Sequence, residues 1–252
     1  MSGYGAFAEV YDQLTGNIDY PARARYFDRI LRSYPLPGNI LLDLACGTGS
    51  LSAAFSRLGY DVIGVDASCE MLSIAAEKKA RQNLDIIFLQ QEMESLDLYG
   101  TVDAVVCALD SLNHLTDQNA LLRALRRVAL FLHPDGVFVF DVNTPYKHRH
   151  LLAEQTYVYD TGDVYCVWQN EGDATDPDLV RISLDIFVGD GYAYTRFEES
   201  FCERAYSEQT LRTLCQEAGL TVEAVYGEDS TDPPAEHEER WIFVAKKANQ
   251  GF

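Results

Sequence analysis

Residues 39–52, NILLDLACGTGSLS, constrain the fold more than any other part of this chain. Residues 40–44 form an apolar run of strand length, Gly47 and Gly49 follow it directly, and a helix is predicted to begin near Ser50. A strand, a glycine turn and a helix in that order make a nucleotide-binding turn. The backbone must bend there with positive φ, and a Cβ would keep a ligand away from the free N–H groups of the helix.

Two ligand classes compete for such a turn. The dinucleotide fingerprint G-x-G-x-x-G, counted from Gly47, puts Ser52 where its third glycine belongs. Three carboxylates decide further. Asp43 sits in the strand before the turn, Asp66 ends the next apolar run, VIGVD, and Glu92 follows a third, IIFLQQ. Near strand ends they would oppose a pyrophosphate with like charge. S-adenosylmethionine presents an ammonium, a ribose diol and an adenine amine, all donors, for which charged acceptors are the stronger partners. The pattern fits this cationic ligand. A nicotinamide-dependent oxidoreductase would also need a tyrosine–lysine or comparable hydride-transfer constellation, which the sequence lacks.

The blocks LLDLACGTG, VIGVD, QQEM around Glu92 and VVCALDSLNHL at 105–115 resemble class I S-adenosylmethionine-dependent methyltransferases. More closely, residues 7–247 resemble bacterial small-molecule methyltransferases with a late antiparallel insert, a group that includes sugar-amine N-methyltransferases. The chain departs from the pattern at Ala45, where glycine is usual, and at Glu92, where aspartate is commoner. The resemblance implies a doubly wound, mostly parallel seven-stranded α/β sheet. It also implies that the aromatic N-terminal segment with Tyr11-Asp12 folds over the ligand as a lid, and that Met71 lies beside the adenine.

Periodicity supports the same architecture independently. Helical spacing runs over 21–34, 50–58 and 118–132 and through Met71, Leu72, Ala75 and Ala76 after Ser68, and strands are expected at 61–66, 85–89, 102–109 and 137–142. Such alternation signals a parallel sheet with right-handed crossovers. Helix ends are marked by Gly59, by Ser68 as an N-cap, and by Pro134 and Gly136. From 157 to 206 the period changes to two, with Ile182, Leu184, Ile186 and Val188 on one face, so an antiparallel insert is expected. A helix from Ser207 and strands at 220–226 and 241–246 close the chain. The predicted organisation is a ligand-binding domain over 1–155 and 207–247, with an insert at 156–206 covering the acceptor site.

Composition removes several functions. A net charge of −19 argues against a nucleic-acid partner, whose sequence-independent affinity comes from clustered Lys and Arg. No apolar run approaches 18 residues, and the first residues lack a signal-peptide pattern, so no membrane partner is expected. The six cysteines show neither a C-x-x-C pair nor metal spacing; they read as buried filler in a cytoplasmic protein without a metal.

In an open parallel sheet, ligands bind beyond the carboxyl ends of the strands where strand order reverses. Asp66 is expected to accept from the ribose hydroxyls, and the backbone from Ala45 through Cys46 and Gly47 to Gly49 to hold the methionyl part, with Asp43 orienting the ammonium. Glu92 and the Met93 amide would meet the adenine edge, and a carbonyl near Leu109 the ammonium. Leu44 and Ala67 complete the predicted cofactor set. Methyl transfer from a sulfonium needs alignment and exclusion of water more than a dedicated base. Where a base helps, His114 is the first candidate, with Tyr146 and His148 behind it and Tyr11 near the acceptor. Arg181, Arg196 and Glu198 line the acceptor pocket or face solvent. The function implied is transfer of a methyl group to a small-molecule nitrogen or oxygen nucleophile. The alternative is a protein that binds S-adenosylmethionine or S-adenosylhomocysteine without catalysis. An exposed edge of the insert makes a homodimer possible.

Overall fold

The computed structural model describes residues 4–248, with side chains from residue 7 onward, so the Tyr4 side chain lies outside the described residues. In chain order the elements are α1 (Tyr4–Leu14), α2 (Tyr20–Arg32), β1 (Ile40–Leu44), α3 (Ser50–Arg57), β2 (Asp61–Asp66), α4 (Cys69–Gln82), β3 (Ile86–Gln90), β4 (Val102–Cys107), α5 (Gln118–Phe131) and β5 (Leu132–Asn143). A short turn of helix, α6 (Pro145–Lys147), leads into β6 (Thr156–Asp160), β7 (Val164–Gly172), β8 (Leu179–Gly189) and β9 (Tyr194–Arg204). The chain then closes with α7 (Glu208–Glu217), β10 (Leu220–Tyr226) and β11 (Arg240–Lys247).

The two periodicities produce two sheets. Seven strands line up as β10-β11-β5-β4-β1-β2-β3, with β1 to β5 parallel and β11 antiparallel to both its neighbours. Strand order reverses at β1, which lies between β4 and β2, so the crevice for a ligand opens at its carboxyl end. The class I methyltransferase architecture expected from the sequence is therefore present.

Burial follows the pleat. Leu42 and Leu44, Val105 and Cys107, and Phe138 and Phe140 point to the side covered by α5 and α7, where Leu121, Leu125, Leu211 and Leu214 meet them. Leu41, Ala104, Val106, Val137 and Val139 point the other way, onto Phe27, Ile30 and Leu31 of α2 and Phe55 of α3. A sheet covered on both faces needs apolar residues at consecutive positions, which is why these strands read as continuous runs.

The insert is a four-stranded antiparallel sheet, β6-β7-β8-β9. Ile182, Leu184 and Ile186 are buried on its inner face with Val164, Cys166 and Val180, and they pack against Phe7, Ala8, Val10 and Leu14 of α1 and Met71 of α4. Helix α1 is thus held between the nucleotide-binding body and the insert.

Several boundaries move for local reasons. Strand β4 ends at Cys107 because Leu109 and Asp110 turn to φ 58° and 55°. Strand β5 begins at Leu132, straight from α5: Val102 pairs with Leu132 and Ala104 with Val137, leaving residues 133–136 as an irregularity that takes up Pro134 where no ladder donor is needed. Of the cysteines, Cys46, Cys107, Cys166 and Cys215 are buried as expected, but Cys69 is exposed at the start of α4 and Cys202 half-buried; all six are free.

Gly49 caps α3 at φ 71°, and an added Cβ would lie 2.9 Å from Phe88 Cζ and 3.0 Å from Ala75 Cβ. Left-handed strain and close contact act together, so Gly49→Ala should cost about 2 kcal/mol or more. Urea unfolding measures this, and an unchanged midpoint would show that the turn can relax.

Candidate active site

Three residues of the glycine turn take left-handed conformations: Ala45 at φ 61°, Gly47 at 52° and Gly49 at 71°. The value at Ala45 explains why glycine is usual there, since alanine pays a steric cost that glycine does not. The Asp66 carboxylate locks this turn to the end of β2. Its Oδ2 accepts from the Gly47 N–H at 2.8 Å, and its Oδ1 accepts from the Ser68 N–H at 2.9 Å. Each oxygen keeps a further lone pair for a ligand diol. Burial pushes the Asp66 pKa above the ordinary range, against these backbone donors.

Asp43 lies behind the turn, 2% exposed, and accepts from Ser52 Oγ at 2.5 Å. Burial pushes its carboxyl up to about 7. With Cys46, Thr48 and Ser50 it lines a small recess of about 40 Å³ beside the glycine turn.

The main cavity, about 470 Å³, opens over the carboxyl ends of the strands. That is the size range of small-molecule sites. From the ends of β2 and β3 come Asp66, Ala67, Gln91, Glu92 and Met93, joined by Met71 of α4. Facing them are Tyr11 from α1, Ser111 and His114 from the segment after β4, and Trp168, Phe201 and Glu203 from the insert.

Helix α1 is tethered over this opening. Asp12 accepts from Thr48 Oγ1 at 2.6 Å and Lys78 Nζ at 2.7 Å, linking the lid segment to the glycine turn and α4. Burial would raise the Asp12 pKa, but Lys78 and Thr48 hold it below its ordinary value. Tyr11 packs edge-on against Phe7 with ring centroids 5.4 Å apart, and burial drives its hydroxyl pKa upward, so it stays a neutral donor.

The turn after β4 is held from the neighbouring strands. Asp141 of β5, 0% exposed, accepts from the Leu109 N–H at 3.0 Å and the Asp110 N–H at 2.6 Å. Arg240 of β11 then binds both acids: Nη1 donates to Asp141 Oδ1 at 2.7 Å, and Nη2 pairs with Asp110 Oδ1 at 2.7 Å. Its Nε faces Glu228 at 3.3 Å as an ion-pair contact. Burial alone would raise Asp110, but Arg240 and then Lys147 outweigh it and hold the carboxyl at about 2.

His114 lies in the cavity with its ring 5.0 Å from that of Phe201 and its Nε2 3.6 Å from Glu203 Oε1. Its side chain keeps 40% of its surface open, yet the protein around the ring holds its pKa below the ordinary value through burial, opposed by Asp110 and Asp66. Of the expected site residues, Ala45, Gly47, Asp66, Ala67, Met71, Glu92, Met93, Leu109, Tyr11 and His114 line the main cavity, and Asp43 and Cys46 line the recess. Others stand elsewhere. Leu44 is fully buried in the core, Gly49 packs against Phe88, and Tyr146 stacks on His237 at 4.8 Å. His148 is buried against the Asp178 carbonyl at 3.0 Å, and Arg196 is occupied by Asp185 and Glu198 on an exposed face.

Asp110, Asp141, Glu203 and Arg240 complete the site, and their roles were not legible in the sequence. Asp141 carried one usable signal, an acid inside the otherwise apolar run VFVFDV.

The sequence and fold have known counterparts. A methyltransferase domain model matches residues 41–136. The "Putative methyltransferase YqeM" of Bacillus subtilis is 32% identical over 246 residues, spanning 97% of each chain. The chain belongs to the methyltransferase family. An amino-sugar N,N-dimethyltransferase of Streptomyces fradiae, acting by name on dTDP-3-amino-3,6-dideoxy-alpha-D-glucopyranose, is 34% identical over 88% of this chain and 87% of its own. Among solved structures, an S-adenosylmethionine-dependent methyltransferase from Clostridium acetobutylicum superposes with a TM-score of 0.88 at 30% identity, covering 98% of this chain and 99% of that one. This methyltransferase accordingly uses S-adenosylmethionine. The cavity suits that ligand, since Asp66 and Glu92 put charged acceptors in its wall and a Cβ at Gly47 would meet nothing within 4 Å, leaving the turn open to close approach.

Arg240→Leu would leave Asp110 and the buried Asp141 without their cation. Removing one partner of a buried ionic cluster typically costs about 3–5 kcal/mol. Chemical denaturation of the variant checks this; a loss below about 1 kcal/mol would mean that Arg23, whose Nη1 lies 4.0 Å from Asp141 Oδ2, or solvent takes over the charge.

Proposed function

We propose that this methyltransferase modifies a nitrogen or oxygen nucleophile of a small molecule in the space between the strand ends and the insert. The observation that carries the reading is one continuous cavity. It joins Asp66, Glu92 and the glycine turn to Tyr11, His114, Trp168 and Phe201, so a cofactor site and an acceptor site share a wall. An open acceptor side supports catalysis over binding alone. The amino-sugar relative supports a small acceptor, and the acidic chain a partner that is not nucleic acid.

Within this reading the residues divide the work. Asp66 takes the ribose diol, Glu92 and the Met93 amide the adenine edge with Met71 packed beside it, and Asp43 with the backbone of the turn the amino-acid end. When bound, S-adenosylmethionine supplies an activated methyl: the acceptor's lone pair bonds to carbon, the carbon–sulfur pair stays on sulfur, and the acceptor's proton is released. Phe7, Tyr11, Trp168 and Phe201 exclude water and align the acceptor. His114, held neutral by burial, is ready to take a proton at its imidazole. Free cysteines throughout support a cytoplasmic setting, and among the described residues no helix is long and apolar enough to cross a membrane.

The edge strand β6 leaves Tyr157 38% and Val158 56% exposed, which supports pairing of two copies through the insert. Sedimentation should show a dimer at working concentration, and monomer alone would remove the idea.

Calorimetric titration with S-adenosylmethionine, S-adenosylhomocysteine and NAD tests the cofactor assignments. Both adenosyl ligands should bind and NAD should not. Asp66→Ala should weaken S-adenosylhomocysteine by about 1.5–3 kcal/mol, the range for hydrogen bonds to a charged group. Unchanged affinity would refute the ribose role.

A further inference from the structure

Glu203 comes to stand beside His114 because the end of β9 is stitched to the segment after β4. Asn113 Nδ2 donates to the Arg204 carbonyl at 2.8 Å, and Arg204 Nε donates to the Thr116 carbonyl at 2.6 Å. The Tyr206 hydroxyl donates to the Leu115 carbonyl. These three bonds bracket His114 and fix the strand at the point where Glu203 turns into the cavity. The Glu203 side chain is only 6% exposed, and its Oε1 faces His114 Nε2 at 3.6 Å, just beyond hydrogen-bond length.

The charged and polar groups around it come from four other elements. Asp110 belongs to the turn after β4, Arg240 to β11, Lys147 to α6 and the polar Asn143 to the end of β5. Arg240 is already engaged by Asp110 and Asp141, so the cation nearest the pocket is shared among several acids. Burial, with Asp110 adding to it, pushes Glu203 up to about 8 against Arg240 and Lys147. At neutral pH a buried carboxyl so placed carries its proton.

We propose that Glu203 is the proton reservoir of this cavity: neutral in the free protein, ionised when S-adenosylmethionine brings its sulfonium charge in, and then the carboxylate that supports His114 in taking the acceptor's proton. This rests on the methyltransferase reading of the cavity given above. The acceptor's proton moves from its nitrogen or oxygen to the His114 imidazole, and the Glu203 carboxylate balances the imidazolium. Once the positive charge has left the cavity, that proton settles on Glu203 and the resting state returns. No second co-reactant is needed.

Other groups can be separated from Glu203 by comparing two ligands. Asp43, pushed up to about 7, and Asp66 face the amino-acid and ribose parts that S-adenosylmethionine and S-adenosylhomocysteine have in common. Their responses to those common parts cancel in the difference, and what the sulfonium adds at them survives Glu203→Gln, which separates it from Glu203. Asp110 is ionised throughout, and His114, held low, has little proton to give at pH 7. The difference between the ligands reports the sulfonium, and by linkage a proton it expels must also favour its binding as pH rises.

The test is calorimetry of both ligands in two buffers of different ionisation enthalpy, with wild type and Glu203→Gln. S-adenosylmethionine should release about half a proton or more beyond S-adenosylhomocysteine at pH 7, and its relative affinity should climb from about pH 6 to 8 and level off above. Glu203→Gln should abolish the extra release while holding S-adenosylhomocysteine affinity within about threefold. Equal release by both ligands in wild type, or extra release that survives the substitution, would overturn the role of Glu203 with the cofactor reading intact. If neither ligand binds wild type, the cofactor reading itself fails. Should the variant not fold, the wild-type pH dependence still decides, since a flat affinity ratio overturns the proposal.

Discussion

The buried carboxylate of Asp141 is the constraint on which the site depends. It holds two consecutive amides, those of Leu109 and Asp110, in left-handed conformations that neither residue favours by itself. That strained turn ends β4 and sends the chain back across the mouth of the cavity. A carboxylate at 0% exposure requires a cation, and Arg240, on the antiparallel strand next to β5, provides it. The late strands are therefore more than an appendix to the nucleotide-binding half. They carry the charge that lets its floor keep its shape.

A second constraint acts from above. Helix α1 buries Phe7, Val10 and Leu14 against the insert, yet its polar residue Asp12 reaches the other way, to Thr48, Ser50 and Lys78. The helix is thus joined to the insert by apolar contact and to the glycine turn by hydrogen bonds. These bonds are individually modest, about 1 kcal/mol net for neutral pairs and more where charge is involved.

What the sequence made legible follows from the range of each interaction. The glycine turn, Asp66 and the capping role of Ser68 depend on residues close in sequence or on one strand–turn–helix unit, and all stand where pattern and spacing put them. The alternation of Ile182, Leu184 and Ile186 gave the insert its inner face for the same reason. Arg240 and Asp141 are 99 residues apart, and their meeting depends on the order β4-β5-β11, which no local pattern encodes. Tyr146 shows the converse. Its position after β5 suggested the rim, but His237 from the loop before β11 offers a stacking partner at 4.8 Å and draws the ring away. The resemblance to a family supplied the lid role of the Tyr11 segment; composition or periodicity would have left it as one more amphipathic helix.

The acids of the site divide into two sets by the source of their countercharge. Asp110 and Asp141 share Arg240 as their cation and serve as scaffold. Asp12 likewise has Lys78. Asp43, Asp66 and Glu203 have no ion pair to Lys or Arg within 4 Å among the described residues, and burial raises all three, Asp43 to about 7 and Glu203 to about 8. All three line the cavity or its recess, alongside Glu92 and the Arg240-paired Asp110. Three acids raised by burial with no Lys or Arg ion pair among the described residues, set in one cavity and its recess, are an electrostatic arrangement for a cation. Every unit of positive charge entering the cavity lowers the cost of ionising them, and each ionised acid in turn strengthens the hold on that charge. The same arrangement disfavours an anionic nucleotide, so selection against a dinucleotide comes from uncompensated carboxylates as much as from Ser52 in the place of a third glycine.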